Sequence, residues 1–195
     1  MSNRSVKRIF DICVAFLGLV LLSPLFLIIY VGQKITYNGP AFFKQERIGM
    51  GGKPFCIYKF RTMVANNEND GKPRLAEPDD ERLTKFGKFL RCHHLDELPQ
   101  LWNVLVGDMS FVGPRPERKY FIDQIMQHDP RYEQLYAIRP GVTSYATLYN
   151  GYTDTMEKML RRLELDLYYL ENWSWKFDLQ ILFKTFFSIA FGKII

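Results

Sequence analysis

The sequence predicts a mixed α/β protein, α+β-like in layout, with a membrane segment at its N-terminus. Three patterns support this prediction: a nearly continuous apolar run over residues 9–31, a glycine-rich turn between two short strand-like segments, and amphipathic helical spacing in much of the remainder. The length of 195 residues suits one domain with an appended membrane element. We therefore predict a membrane helix over residues 1–33 and a globular domain over residues 34–195.

The apolar run, IFDICVAFLGLVLLSPLFLIIYV, is long enough to span a membrane but contains a break. As a straight helix, residues 9–31 would measure about 34 Å, against about 30 Å for the hydrocarbon core of a bilayer. Ser23-Pro24 lies inside the run, and proline kinks or breaks a helix because it lacks a backbone donor. The Ser23 hydroxyl can partly satisfy the carbonyl that proline leaves free.

Both flanks of the run are basic. Residues 1–8 contain three basic residues and no acid, and residues 34–61 contain six basic residues and one acid. Basic flanks favour the cytoplasmic side, so a helix that enters and leaves by the same face would satisfy both ends. Kinked helices also span membranes, and these patterns alone leave both topologies open. A signal peptide is disfavoured because no small-x-small cleavage site follows.

A β-hairpin is predicted after the membrane segment. Residues 41–47 and 54–61 read as strands, and the glycine-rich turn of residues 49–52 joins them. The turn has neither of the two common phosphate-binding glycine patterns, which favours the hairpin over a phosphate cradle. Residues 64–82 are polar and acid-rich, and we predict an exposed loop there.

Helical spacing returns after this loop. Thr84 is a candidate N-cap for the first helix, and Asp96 is predicted to cap the second, which Gly107 ends. Residues 113–116, Gly-Pro-Arg-Pro, form a rigid turn. The predicted helices cover residues 84–90, 96–106, 120–127 and Met156–Glu171.

The C-terminal segment, residues 173–195, is aromatic and apolar, but Lys176, Asp178 and Lys184 interrupt it and disfavour a second spanning helix. Trp173 and Trp175 beside basic residues suit a helix that lies in the lipid headgroup region. The alternative is a helix packed on the domain core. We favour the membrane surface, because so much aromatic surface would be difficult to cover.

The net charge of +5 and pI near 9.0 permit binding to nucleic acid or to an anionic membrane surface, and the apolar run argues against nucleic acid. Cys13, Cys56 and Cys92 are far apart in the sequence, which argues against a disulfide framework or a zinc site. Free thiols suit a reducing compartment.

Asp96-Glu97 is the candidate centre of chemistry. A helix start stabilises negative charge, which would keep Asp96 ionised and competent as a nucleophile. Two adjacent carboxylates can also hold Mg²⁺ together with substrate phosphates. Basic residues precede and follow the pair, and they suit phosphate groups: Arg82, Lys88, Arg91, Arg115, Arg118 and Lys119.

The stretch around this pair carries a family resemblance. Residues 90–105, LRCHHLDELPQLWNVL, and 107–117, GDMSFVGPRPE, resemble the signature of the bacterial sugar transferases, the monotopic phosphoglycosyl transferases. The motifs KRIFD, QERIG, YKFRTM, RLT, RPGVT and NWS agree with it elsewhere. The resemblance covers nearly the whole chain and indicates the minimal form of the family. The sequence departs from the family pattern at two places, and both departures concern the sugar preference. His94 stands where the family usually has Ser or Thr before the Leu-Asp-Glu motif. Residues 144–152 stand where the family usually has Gly-x-Ala-Gln-x-x-Gly-Arg.

The resemblance implies a two-step reaction on a UDP-sugar. Asp96 would be the nucleophile that releases UMP, Glu97 its acidic partner, and undecaprenyl phosphate the acceptor of the phospho-sugar. Mg²⁺, held by the acidic pair, is the expected cofactor. The membrane helix would be re-entrant, broken at Ser23-Pro24, with residues 34–195 as a catalytic domain on the cytoplasmic face of the bacterial inner membrane. The candidate substrate- and phosphate-binding residues are Lys59, Arg61, Arg91, Arg115 and Arg139.

The expected partners are a UDP-sugar, undecaprenyl phosphate, membrane lipid and downstream glycosyltransferases, with no nucleic acid. The reaction would begin the membrane stage of assembly of a glycoconjugate, such as a capsule, O-antigen, exopolysaccharide or glycoprotein. The alternative is a non-catalytic protein of the same fold that binds the membrane surface. The paired carboxylates argue against that alternative, since a lipid-binding patch has no use for them.

Overall fold

The computed structural model describes residues 3–64, 80–151 and 153–190, and over these ranges the chain is mainly helical with two small two-stranded sheets. The predicted mixed α/β class is confirmed. The helices are α1 (Asn3–Leu21), α2 (Ser23–Thr36), α3 (Lys85–Cys92), α4 (Gln100–Val106), α5 (Lys119–His128), α6 (Tyr145–Asn150), α7 (Met156–Glu171) and α8 (Trp175–Ala190). The strands are β1 (Phe42–Ile48), β2 (Pro54–Phe60), β3 (Ser110–Val112) and β4 (Gly141–Thr143), and 3₁₀ turns cover Met50–Gly52, Leu95–Glu97 and Pro130–Ala137.

The N-terminal helix breaks where the sequence predicts. α1 and α2 meet at Leu22 and bend by 59°. In a continuous helix, the N–H of residue 24 would bond to the carbonyl of Val20, and proline has no N–H to offer. The Ser23 hydroxyl donates to that same carbonyl at 2.8 Å. The break at Ser23-Pro24 is therefore confirmed, and the serine compensates for the missing donor.

The bent pair leaves much of its apolar surface uncovered. Large side chains such as Leu21, Leu27 and Ile28 are each more than 60% exposed. In the described residues, no single helix combines the length and apolar character needed to cross a bilayer, whereas α1 and α2 meet these criteria together as a bent pair. Contiguous exposed apolar surface of this kind marks a protein or membrane contact.

Polar contacts fix α1 to the rest of the protein. The Arg8 guanidinium donates to two backbone carbonyls in the last turn of α4, at 2.6 and 2.8 Å. Asp11 is buried, and its Oδ1 accepts the backbone N–H of Phe111 at 3.2 Å. Lys7 forms an ion pair with Asp178 at the start of α8. The first half of α1 therefore belongs to the folded domain as much as to the apolar pair.

The predicted hairpin is confirmed. β1 and β2 pair antiparallel from Phe42↔Phe60 to Ile48↔Pro54. Gly51 and Gly52 in the connection have φ values of 71° and 69°, a conformation that glycine adopts without strain. The hairpin presents Lys59 on β2 and Arg47 on β1 to different parts of the domain.

A second, parallel pair was not predicted. β3 and β4 are three residues each and pair through Ser110↔Gly141 and Val112↔Thr143. Gly113 and Gly141 lie so close that a Cβ on Gly141 would sit 2.1 Å from the Gly113 nitrogen. The pairing brings residues 113–116 against residues 139–141.

The main hydrophobic core lies between α5, the 3₁₀ segment Pro130–Ala137 and α7, and includes Ile122, Ile125 and Leu163. α5 and α7 confirm the helices predicted over residues 120–127 and 156–171. Thr84 caps α3 as predicted, with its Oγ1 accepting the Gly87 N–H at 2.8 Å.

α8 has two apolar faces. Ile181 is fully buried against the domain, whereas Phe183 and Phe186 are 67% and 68% exposed. The packing alternative therefore accounts for one face only, and the membrane-surface placement of the other remains a prediction. The loop predicted over residues 64–82 lies mostly outside the described residues. Cys13, Cys56 and Cys92 are unpaired in the structure.

Candidate active site

The acidic pair lies on a short 3₁₀ turn between α3 and α4. His94 precedes it with φ of 53°, the left-handed conformation that turns the chain after α3. α4 begins only at Gln100, so the prediction that Asp96 caps this helix is wrong. The Glu97 N–H donates to the His94 carbonyl and the Leu98 N–H to the Leu95 carbonyl, which is the i→i−3 pattern of a 3₁₀ turn. Asp96 therefore lies inside this turn and is not at an N-cap.

Two cations contact Glu97 directly. The Lys59 Nζ lies 2.6 Å from Glu97 Oε1, and an Arg115 guanidinium nitrogen lies 3.9 Å from the same oxygen. Lys59 comes from β2, and Arg115 comes from the Gly-Pro-Arg-Pro turn that follows β3. The fold therefore brings together residues from three separate segments. The Arg115 side chain is 41% exposed, which leaves its guanidinium accessible to a ligand.

The two carboxyls have opposite pKa shifts. Burial raises the pKa of Asp96 to about 6, although the charges of Lys59 and Arg91 act in the other direction. Burial would also raise the pKa of Glu97, but Lys59 and Arg115 outweigh it and lower the value to about 2. The predicted helix-dipole stabilisation of Asp96 is thus replaced by a desolvation penalty. Asp96 is still mostly ionised at pH 7, with Glu97 as the permanent charge.

The five predicted phosphate-binding residues fall into two groups. Lys59 and Arg115 lie within ion-pair distance of Glu97, and the charge of Arg91 lowers the pKa of Asp96. Arg61 donates to the Pro40 carbonyl at 2.9 Å, and Arg139 donates to the Gly107 carbonyl at 2.8 Å. Phosphate binding by all five stays a prediction.

Glu117 lies two residues along the chain from Arg115. It binds Arg47 at 2.7 Å and Arg162 at 2.6 Å. The sequence analysis assigned no role to these three residues. Glu117 and Arg47 lie inside motifs that carry the family resemblance, and this is the one signal that could have identified them. Arg162 has no comparable signal.

A further buried acid lies behind the Arg115 turn. Asp166 on α7 is 2% exposed, and burial raises its pKa to about 7, against the charge of Arg162 and the backbone amides of Arg115 and Ala146. Arg115 also lines a shallow, open groove with Pro114, Tyr132 and other residues of the hairpin turn and the 3₁₀ segment Pro130–Ala137.

The acidic pair suits a metal that arrives with a substrate. Among the described residues, no group of three or more His, Cys, Asp or Glu side chains could hold a metal ion. Mg²⁺ commonly binds through one or two carboxylates plus substrate phosphates, and Asp96 with Glu97 provides that number. The donor set therefore fits Mg²⁺ that is held together with substrate phosphates.

Comparison with known proteins agrees with the geometry. A family model described as bacterial sugar transferase matches residues 2–192. A UDP-glucose:undecaprenyl-phosphate glucose-1-phosphate transferase of Klebsiella pneumoniae is 46% identical over 98% of this chain and 41% of its own length. A UDP-N-acetylgalactosamine-undecaprenyl-phosphate N-acetylgalactosaminephosphotransferase of Aeromonas hydrophila is 41% identical over 96% of this chain and 44% of its own length.

The chain spans less than half the length of these two relatives. It covers 85% of the uncharacterized sugar transferase EpsL of Bacillus subtilis (strain 168), with 41% identity over 92% of this chain. The match to the family model extends over nearly all of the sequence and includes the acidic pair and the Arg115 turn. The chain therefore belongs to the bacterial sugar transferase family.

Proposed function

We propose that this protein transfers a sugar 1-phosphate from a UDP-sugar to undecaprenyl phosphate and releases UMP. The observation that carries the proposal is the buried Asp96 beside Glu97, with the charges of Lys59, Arg91 and Arg115 directed at the pair. Such a cluster of cations around a carboxylate suits a dianionic diphosphate. The names of the relatives, which specify UDP-sugar donors and undecaprenyl phosphate as acceptor, support the same reaction.

Asp96 is the proposed nucleophile. Its carboxylate attacks the phosphorus that bears the sugar, the bond from that phosphorus to the bridging oxygen breaks, and UMP leaves with that oxygen. An oxygen of the lipid phosphate then attacks the same phosphorus and releases the free Asp96 carboxylate. Desolvation makes the carboxylate a better nucleophile, and a pKa near 6 leaves it ionised at pH 7.

The neighbouring charges have separate roles in this scheme. Glu97 stays ionised and holds Lys59 in place, and it assists at the metal or in proton transfer. Arg115 binds the phosphate or nucleotide part of the donor. Asp96 and Glu97 would hold Mg²⁺, which would neutralise the charge of the donor diphosphate.

Residues 1–33 are proposed to form a re-entrant membrane helix with both ends in the cytoplasm, and residues 34–195 a catalytic domain on the cytoplasmic face of the bacterial inner membrane. The 59° bend between α1 and α2, the exposed apolar side chains of the pair and the exposed aromatic side chains of α8 support this arrangement. It would bring the acidic pair close to an acceptor that is dissolved in the bilayer.

The first test is mass spectrometry of the intact protein after incubation with a UDP-sugar and no lipid. A panel of UDP-sugars is screened first for UMP release, which also identifies the sugar. We expect an added phospho-sugar mass on the wild type and none on Asp96→Asn. Glu97→Gln should reduce turnover severely. Asp123→Asn, a change of the same type at an exposed salt bridge with Lys119, is the matched control and should retain the adduct.

Two outcomes would contradict parts of the proposal. UMP release that strictly requires the lipid, with no adduct, would favour direct attack by the lipid phosphate and leave Asp96 as a metal ligand. No UMP release from any UDP-sugar, together with tight binding to anionic vesicles, would favour the non-catalytic alternative.

A further inference from the structure

Glu117 is the centre of a buried charge network. Its Oε1 accepts from Arg47 at 2.7 Å, and its Oε2 accepts from Arg162 at 2.6 Å. Glu117 and Arg162 are 6% and 7% exposed. Burial would raise the pKa of Glu117, but the two arginines outweigh it and lower the value, so the carboxylate stays charged. A buried ion pair that loses one partner leaves an uncompensated charge, so separating these side chains is costly.

The network holds the backbone just after Arg115. Arg47 also donates to the Pro116 carbonyl at 3.2 Å, and the Ile48 N–H donates to the Glu117 carbonyl at 3.1 Å. These bonds join the turn to β1, while Arg162 joins it to α7. Arg115 itself lies between two prolines, whose fixed φ angles restrict the turn further. The backbone of the turn that carries Arg115 is thus held from β1 and from α7.

The same hairpin also reaches the acidic pair. β2 carries Lys59, which binds Glu97 at 2.6 Å, and β1 carries Arg47, which binds Glu117. The Arg115 guanidinium lies 3.9 Å from Glu97. Glu97 and Glu117 are therefore connected in two ways: through Arg115 and its turn, and through Lys59, the hairpin and Arg47.

We propose that Glu117, held between Arg47 and Arg162, is a positioning residue that fixes the Arg115 guanidinium against the acidic pair and the donor phosphates. The inference rests on the proposed function, because it assigns Arg115 to phosphate. Glu117 itself does not touch substrate in this arrangement. Its effect on catalysis is therefore expected to pass through Arg115, and removing Arg115 should abolish that effect.

A double-mutant cycle tests this dependence. Glu117→Gln, Arg115→Ala and the double variant are compared by equilibrium UMP binding, by the KM and kcat of UMP release, and by melting temperature in detergent. We expect Glu117→Gln to weaken UMP binding and raise KM about tenfold in the wild-type background. In the Arg115→Ala background it should add less than about twofold. Glu164→Gln, which removes a surface salt bridge from the same helix α7, is the matched control and should leave UMP binding unchanged.

Several results would overturn the inference. Equal losses of UMP binding in both backgrounds would mean that Glu117 acts independently of Arg115. A lower melting temperature with unchanged UMP binding would mean that its role is structural only. If Glu117→Gln does not fold, Arg47→Lys enters the same cycle, since it keeps the charge but cannot contact Glu117, Pro116 and Gln45 with two separate nitrogens.

The same experiment distinguishes failure of the proposed function from failure of the positioning role. A wild type that neither binds UMP nor releases it from any UDP-sugar refutes the proposed function, and the positioning role falls with it. A wild type that does both but lacks the coupling refutes the positioning role alone.

Discussion

Protonation of Asp96 should set the low-pH limit of UMP release. Burial raises the pKa of this carboxyl to about 6, so the group is charged above that pH and neutral below it. Only the charged form is a nucleophile. The ionised fraction falls from about 0.9 at pH 7 to about 0.1 at pH 5, and the rate should fall about tenfold between these values. Glu97, with a pKa of about 2, does not titrate in this range.

Lys59→Met should move this limit in a defined direction. The Lys59 charge lowers the pKa of Asp96, opposing burial. Without it the midpoint should rise above pH 6, and the rate at pH 7 should already be reduced. Lys44→Met is the matched control, because Lys44 lies on the same hairpin with its Nζ 5.3 Å from the centre of the Tyr58 ring. Its profile should keep the wild-type midpoint.

The assay is UMP release in a single turnover, with saturating UDP-sugar, no lipid acceptor and constant ionic strength, between about pH 4.5 and 8. A lower rate in Lys59→Met is expected in any case, since the lysine is also a candidate phosphate ligand. The midpoint is the informative quantity. A midpoint below pH 5 in the wild type, or an unchanged midpoint in Lys59→Met, would refute the reasoning from burial and charge.

Three further predictions follow from the same geometry. Turnover should require a divalent cation, most directly Mg²⁺, and full activity in excess chelator would contradict this. Ser23→Ala combined with Pro24→Leu should restore a straight apolar helix and shift it toward spanning the membrane. The topology is measured by labelling single cysteines, Ser5→Cys or Asn38→Cys, with an impermeant thiol reagent in a background without native cysteines. If these two positions label from opposite sides when Ser23 and Pro24 are unchanged, the re-entrant topology is refuted. Burial gives Asp166 a folded-state pKa of about 7, above its ordinary value. Its contribution to the free energy of unfolding is therefore complete at low pH and is lost as the pH rises toward 7. The loss amounts to up to about 4 kcal/mol. Asp166→Asn should therefore flatten the dependence of melting temperature on pH, and an unchanged slope would count against this account.

Features that depend on a few consecutive residues could be predicted from the sequence. Pro24 lacks a donor wherever it lies in a helix, so the break and the compensating Ser23 bond follow from local chemistry. The hairpin turn and the Thr84 cap are local in the same sense. The acidic pair was identified because its whole signature is contiguous. For these features, the interacting groups lie within a few residues of one another or on two adjoining strands.

The tertiary structure decided the electrostatics of the site. The sequence by itself determined that Asp96 and Glu97 are adjacent, yet it predicted a helix cap and a stabilised charge on Asp96, and burial reversed the direction of that pKa shift. Burial depends on side chains that distant segments bring over the turn, and no local pattern records it. The contact between Glu97 and Lys59 joins residues 38 positions apart, and that between Glu117 and Arg162 joins residues 45 positions apart. Such contacts depend on how the hairpin, the Arg115 turn and α7 pack together, which only the folded chain determines.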